Sequence, residues 1–437
     1  VTPAGRLAAA IEILDAIGQT GRPGDQVASQ YFKGRRYIGS KDRQWIAQAV
    51  WRVLRRKARL DWLLASVGAD PIDARSRVLA DLVVEGGEIP AVEMFQGPHA
   101  ATPPDAQDRR VMEMLHKQSL FHRDMPAWVK SEFPEWLLPR LQQVFKDDLA
   151  REMGAMREEA PLDLRVNTLK ATRSRAIDAL AVQGIPAIPT PHSPLGLRLA
   201  KRVALVQVEA WRSGLVEVQD EGSQLVALLV DAKPGMAVVD YCSGAGGKTL
   251  ALAADMENSG RLIACDVAEW RVDRASDRLR RAGVHNVTRR VIGGESDKWI
   301  KRNAALFDRV LVDAPCSGSG TWRRNPDAKW SFTPKDLEEI TASQSVILKS
   351  AARLTKPGGR LIYATCSVLE EENEAQIGKF LAANPDFALV PVGDVWAHRA
   401  DTPCPVSTPM LRLSPYAHGT DGFFCAVMEK AATPNGP

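Results

Sequence analysis

The sequence predicts an α/β fold: a doubly wound parallel sheet in the C-terminal half, preceded by a small α+β unit and an all-helical N-terminal region. Three observations carry this. From Pro234 onward, short buried-strand runs alternate with helical stretches, the pattern of parallel sheets with crossover helices. Between Leu162 and Gln219 the runs are short and alternating. Residues 1 to about 140 show apolar residues at helical spacing and few strand-like runs. The expected segments are 1–140, helical; 141–233, a linker helix and small α+β subdomain; and 234–437, the α/β domain. A chain of 437 residues has room for two or three such units.

In the first segment Leu7, Ile11 and Leu14 form an apolar stripe. Residues 31–60 hold ten Lys/Arg against the single Asp42, although the whole chain carries only +4. From Asp42 to Leu64 one continuous helix is expected, with Ile46, Val50, Val53 and Leu54 inside and Arg52, Arg55, Arg56 and Arg59 opposite. Lys57 falls in the apolar arc and must snorkel. Such a charge run is most simply a solvated face; its sharper reading is a track for phosphates, screened by salt. A loop rich in Gly, Pro and Ala, Gly86 to Pro104, interrupts the helices. In the second segment, strands are expected at Leu162–Val166, Leu195–Leu199 and Gly214–Val218, around a helix near Arg173 to Gln183.

The third segment opens with the turn Pro234-Gly235, the strand Ala237–Asp240, a glycine-rich loop and a helix at Lys248–Asp255. Further strands are expected at Arg261–Asp266, Arg309–Asp313 and Arg360–Ala364, the last after the turn Lys356-Pro357-Gly358-Gly359. Ligands of such sheets bind beyond the carboxyl ends of the strands, where the chemically suggestive loops fall.

No apolar run approaches the ~18 residues that span a bilayer, so no membrane association is expected. Val1 to Ala10 lack the pattern of a secretory leader, which makes a reducing cytoplasm the default. The six cysteines, Cys242, Cys265, Cys316, Cys366, Cys404 and Cys425, include no CxxC pair, so neither a zinc knuckle nor a disulfide framework is expected and no metal is assigned. Cys265, Cys404 and Cys425 are assigned to packing, and the scattered histidines to ordinary polar roles.

The first loop runs Asp240-Tyr241-Cys242-Ser243-Gly244-Ala245-Gly246-Gly247-Lys248-Thr249. A P-loop needs glycine where Cys242 stands, and a dinucleotide fingerprint starting at Gly244 needs Gly or Ala where Thr249 stands. A nucleoside without a pyrophosphate, S-adenosylmethionine, remains, with Cys242, Ser243, Gly244, Ala245, Gly246, Gly247 and Lys248 as the cradle. Asp266 ends the next strand about 20 residues on, where a carboxylate can accept from ribose hydroxyls. The second loop, Asp313-Ala314-Pro315-Cys316-Ser317-Gly318-Ser319-Gly320, and the third, Ala364-Thr365-Cys366-Ser367, each put a cysteine just past a strand end. If their strands are neighbours, ~4.8 Å apart, the two thiols can flank one bound group.

At these residues the sequence resembles the Sun (Fmu, or RsmB-like) family of RNA cytosine-5 methyltransferases. The matching stretches are Val218–Gln224 (VQDEGSQ), CSGAGGKT from Cys242, DAPCSGSG from Asp313 with the following Thr321–Asp327, YATCS from Tyr363, Asp421-Gly422-Phe423-Phe424, and RVNTLK from Arg165. They cover about residues 160 to 430; the helical segment 1–140 more loosely resembles the NusB-like RNA-binding domain of RsmB-type members. The resemblance implies a Rossmann-like methyltransferase domain, S-adenosylmethionine as cofactor, RNA, expected to be ribosomal, as partner, and Cys366 as the nucleophile that adds to carbon 6 of cytosine. It makes Cys316 the cysteine that assists product release and Asp313 the carboxylate on the base edge, also beside the cofactor. Lys248 is expected to lower a nearby thiol's pKa.

Two stretches depart from the family. Ser243-Gly244-Ala245 replaces its A-A-P segment, which predicts a more flexible loop. Where members carry an adenine-binding Asp, Val291–Asp297 offers Gly293 or Gly294, with Glu295 or Asp297 as substitutes. The alternatives are a tRNA substrate and a non-catalytic RNA-binding assembly factor that keeps the fold; a monomer is assumed.

Overall fold

The computed structural model describes residues 1–86, 90–116 and 118–432. The chain forms two compact units, residues 1–158 with 322–333, and residues 159–321 with 334–437.

The first unit is helical, led by helices at Pro3–Thr20, Gly24–Gly34, Ser40–Arg55, Lys57–Ser66 and Ala74–Gly86. Leu7, Ile13, Ile46, Leu60, Leu63 and Leu64 are buried in its core, so the Leu7–Leu14 stripe faces inward as the spacing requires. Helices at Leu138–Phe145 and Leu149–Arg157 also belong here, beyond residue 140 where the linker was expected to start. In the expected loop Gly86–Pro104, residues 87–89 lie outside the described residues, and Val92–Phe95 forms a 3-10 turn.

The single basic helix expected over 42–64 is two helices that meet at Arg56. The charge excess is also local in sequence rather than in space. Arg52 and Arg56 reach the buried Asp81 at 2.7 and 3.0 Å, and Arg56 reaches Glu85 at 2.6 Å. Arg59 is itself buried, paired at 2.6 Å with the buried Glu132. Lys57 pairs with Asp61 and lies over the Trp330 ring, 5.1 Å from its centroid. Segment 322–333 is held here too: Asp327 accepts from Gly24 N at 2.8 Å, and Arg55 donates to Arg323 O at 3.1 Å.

The second unit contains two sheets. Strands β1 (Leu162–Val166), β2 (Ala187–Pro189), β3 (Gly196–Leu199) and β4 (Val216–Val218) form an antiparallel sheet in the order β2-β3-β1-β4. The helix expected near 173–183 spans Arg173–Ala181, and β2 is a strand that the sequence patterning missed. The larger sheet has β5 (Ala237–Asp240), β6 (Arg261–Asp266), β7 (Val287–Val291), β8 (Phe307–Asp313), β9 (Thr355–Thr365), β10 (Phe387–Val390), β11 (Leu411–Leu413) and β12 (Phe423–Lys430), ordered β10-β12-β9-β8-β5-β6-β7 with β11 on β12. Strand β9 takes in the expected turn at 356–359, opposite an irregularity in β8 between Phe307 and Arg309.

The expected all-parallel sheet is mixed. Strands β5 to β9 pair in parallel, whereas β10, β11 and β12 are antiparallel to their neighbours. Both faces are covered, which explains the continuous apolar runs. Val239, Val310, Val312 and Tyr363 pack on one side with the helix Pro334–Ala352, and Val238, Leu311, Ile362 and Ala364 on the other with helices Glu221–Leu229 and Gly247–Asp255. The chain winds from β5 outward through β6 and β7, then restarts at β8 on β5's other side. This makes the β5/β8 junction the topological switch point, where a ligand crevice is expected.

Candidate active site

Three loops leave the carboxyl ends of β5, β8 and β9, and a fourth segment enters β12. Because β12 runs antiparallel to β9, with Phe424 opposite Thr365, its first residues lie beside the Cys366 loop. Gly422 N donates to Gly320 O at 2.8 Å, and Gly320 N donates to Cys366 O at 2.9 Å, which joins the Asp421–Phe424 stretch to both cysteine loops. Asp220 explains part of VQDEGSQ: it caps the helix Glu221–Leu229 through Gly222 N and also accepts from Asp421 N. RVNTLK is structural as well. Asn167 Nδ2 bridges Gly214 O and Ala282 O at 2.9 Å each, while Lys170 donates to Ser213 O and Arg281 O, fastening the small sheet to the helix Glu269–Ala282.

The two thiols meet. Cys316 Sγ and Cys366 Sγ are 3.3 Å apart, both partly exposed. Cys316 is pushed well above the ordinary thiol range by its hydrogen bond with Cys366, by burial and by the nearby Glu372 carboxylate. Lys248 Nζ contacts Asp313 Oδ2 at 2.6 Å and lies over the Phe423 ring, 5.4 Å from its centroid. Burial works against this ammonium, but Asp313 and then Cys366 outweigh it and hold Lys248 above its usual pKa. Its charge is therefore shared between a carboxylate and a thiol rather than given to a thiol alone.

A pocket of about 250 Å³ adjoins this pair, lined among others by Cys242, Asp266, Arg271, Glu295 and Asp313. Asp266, nearly buried, accepts from Gly244 N at 3.0 Å and Ala268 N at 2.9 Å, and its acceptor-only carboxylate retains lone pairs for hydroxyl donors. Ser243 to Gly247 form the turn beside this pocket, and Lys248 faces Asp313. Gly246 adopts φ +81° just before the helix Gly247–Asp255, a left-handed position that favours glycine. The loop expected to be flexible is pinned four times: Ser243 N to Cys265 O, Gly246 N to Ser243 O, Gly244 N to Asp266, and Arg278 to Ala245 O at 2.7 Å. Cys242 stays a thiol, raised by burial and by Asp240, Asp313 and Asp266. An acidic wall, a glycine turn and a strand-end crevice suit an adenosine-type cofactor.

Of the two substitutes for the absent adenine-binding Asp, Asp297 is already used. It caps the helix Lys298–Arg302, accepting from Gly293 N and Trp299 N at 2.8 and 2.7 Å, while Glu295 lines the pocket. Tyr241 of the first loop also lines it, as do Arg271, Ser343 and Ile347, which had no sequence signal; the last two come from a helix far along the chain. Cys265 and Cys425 are fully buried among apolar neighbours.

The family model described as 16S rRNA methyltransferase RsmB/F matches residues 227–429. The model described as RsmF/B-like, ferredoxin-like domain matches residues 133–206. Ribosomal RNA small subunit methyltransferase B of Pectobacterium atrosepticum is 30% identical over 428 residues, covering 95% of this chain and 96% of that protein. The solved structure of PH0851 aligns at TM-score 0.79 and 27% identity over 98% of this chain and 99% of its own. A methyltransferase homolog from Pyrococcus horikoshii aligns at TM-score 0.59 and 30% identity over 69% of this chain and 97% of its own. With the strand-end crevice, the paired thiols and a relative matched over nearly the whole of both sequences, this chain belongs to the RsmB/F family of rRNA methyltransferases.

Proposed function

We propose that the protein methylates carbon 5 of a cytosine in small-subunit ribosomal RNA, with S-adenosylmethionine as cofactor and Cys366 as covalent nucleophile. The observation that carries this is the 3.3 Å approach of the Cys316 and Cys366 sulfurs beside the Lys248–Asp313 pair. Carbon 5 of cytosine is a poor nucleophile. Addition of the Cys366 thiolate to carbon 6 moves the ring electrons onto carbon 5, which then attacks an electrophilic carbon. The cofactor, when bound, supplies that carbon as a methyl on a sulfonium. Asp313, anchored by Lys248, holds the base edge as charge develops. The carbon-5 proton then leaves, the carbon 6–sulfur bond breaks with its electron pair returning to Cys366, and Cys316 assists this release. Asp266 would hold the ribose, and Glu295, which lines the same pocket, would accept from the adenine amino group.

The names of the relatives support a ribosomal RNA substrate. A base stacked in a duplex is out of reach of sulfurs in such a crevice, so the target cytosine is single-stranded or flipped out. In the helical unit, Tyr37 is 70% exposed between exposed Lys33, Arg36 and Lys41, an aromatic-and-basic surface suited to single-stranded RNA. All six cysteines are free thiols, which suits a cytoplasmic setting, and among the described residues no helix is long and apolar enough to cross a membrane.

Bisulfite mapping of RNA from cells lacking the gene tests this reading. One protected cytosine should disappear from small-subunit rRNA and return with the wild-type gene but not with Cys366→Ala. Disappearance from tRNA instead would move the substrate, and no disappearance anywhere would leave a non-catalytic assembly factor.

A further inference from the structure

Glu372 ends the 3-10 turn Glu370–Glu372 and is fully buried. Its Oε1 accepts from Ser317 N at 2.8 Å and from Gln344 Nε2 at 3.1 Å. Its Oε2 accepts from Ser317 Oγ at 2.5 Å and from Ser367 Oγ. Ser317 follows Cys316 and Ser367 follows Cys366, so one carboxylate grips both thiol loops at the residue next to each sulfur. The adjacent Asn373 tightens the same hold: Nδ2 donates to Ser367 O at 2.9 Å, and Oδ1 accepts from Thr365 Oγ1 at 2.6 Å. Among the described residues Glu372 has no ion-pair partner; four hydrogen-bond donors take the place of water around it. Burying a carboxylate without a cation is costly, and the hydroxyls of Ser319 and Ser367 already join the two loops at 2.9 Å without it, so joining alone does not account for the charge.

We propose that Glu372 is a positioning residue: by bridging Ser317 and Ser367 it sets the separation of the two sulfurs and fixes a negative charge beside their loops. The hydrogen bond with Cys366, burial and the Glu372 charge raise the proton affinity of Cys316, whereas Lys248, the nearby cation, is paired with Asp313. Cys242 and Asp240 belong to the β5 end and add no cation.

This inference rests on the assignment of the two cysteines above, and its test needs neither RNA nor methyl donor. The full chain is treated with limiting iodoacetamide across a pH series, and Cys316 and Cys366 peptides are quantified by mass spectrometry. In wild type, Cys316 should react slowly near neutral pH. In Glu372→Gln it should react at least about threefold faster, and Glu372→Asp, which keeps the charge, should restore the slow rate. On RNA, Glu372→Gln should lower kcat by roughly a hundredfold with little change in KM. Ser317→Ala keeps the carboxylate and the backbone contact to Oε1 but removes the hydroxyl arm of the bridge, so it should retain the slow alkylation of Cys316 and lose about tenfold in kcat, which covers the case in which Glu372→Gln does not fold. An unchanged Cys316 rate in Glu372→Gln, an Asp variant no better than Gln, or full turnover in Ser317→Ala would each overturn the proposal. A wild-type protein whose Cys316 is slow as expected yet which methylates no cytosine would instead overturn the functional reading.

Discussion

Gly320 and Gly422 meet backbone to backbone: a Cβ built on Gly320 would stand 2.1 Å from Gly422 O, and one on Gly422 would stand 2.6 Å from Gly320 Cα. No side chain fits there, and the contact joins the Cys316 loop to the start of β12. Gly320→Ala should therefore cost about 1–3 kcal/mol by forcing the segments apart, read as a lower midpoint in denaturant unfolding, and should lower turnover at least tenfold. Gly378, with nothing within 4 Å of its built Cβ, is the control and should tolerate alanine.

In the proposed reaction the two sulfurs have different tasks. Cys366→Ala should abolish methyl transfer while RNA still binds. Cys316→Ala should accumulate a covalent protein–RNA species, visible as a slower band on denaturing gels, because release of the nucleophile is impaired. A trapped band in Cys366→Ala would reverse the assignment.

For the surface around Tyr37, replacing Lys33, Arg36 and Lys41 with glutamate should weaken RNA binding. The slope of log affinity against log salt should become shallower by roughly 2, since each lost phosphate contact on single strands removes about 0.7. Tyr37→Ala should weaken binding by about 1–3 kcal/mol, the value of one stacked base, and leave the salt slope intact.

Inside the helical unit, Glu132 is fully buried and accepts from Ala58 N, Arg59 N and Arg59 Nε. Glu132→Ala should cost about 3–5 kcal/mol, because it strands the buried Arg59 guanidinium; denaturation of the variant measures this.

Asp240, fully buried at the end of β5, has its pKa raised to about 7 by burial, against one hydrogen bond from Thr249 that favours the anion. The unfolded chain binds fewer protons than the folded one between the ordinary carboxylate pKa and about 7. Stability from this group is therefore highest in acid, falls as pH rises through that window and levels off above it. Asp240→Asn should flatten this part of the Tm-against-pH curve, and a variant curve parallel to wild type would contradict it.

Much of this site was legible because its residues sit at strand ends. Asp240, Asp266 and Asp313 each close a buried apolar run, and the expected strands Ala237–Asp240 and Arg261–Asp266 match residue for residue. A continuous apolar run is a strong signal where both faces of a strand are covered. It said nothing of β2, whose three residues are largely exposed, or of Ser343 and Ile347, which reach the pocket only through the packing of the helix Pro334–Ala352. The basic run at 31–60 misled for a related reason: its counter-charges Asp81, Glu85 and Glu132 lie outside that stretch, and only the fold brings them near. Glu372 carried no signal of its own, because a glutamate in an acidic trio reads as solvated until its four donors are seen.

Residues 322–333 leave the methyltransferase unit between Cys316 and Cys366 and are held by Gly24, Leu54 and Arg55 of the helical one. The polypeptide thus passes between its two units three times, after residues 158, 321 and 333. Exchange of the helical unit between relatives cannot be achieved by a single crossover at its C-terminal boundary. A viable chimera must also carry the matching dozen residues from the middle of the partner's enzyme half, so the two parts are expected to be inherited together.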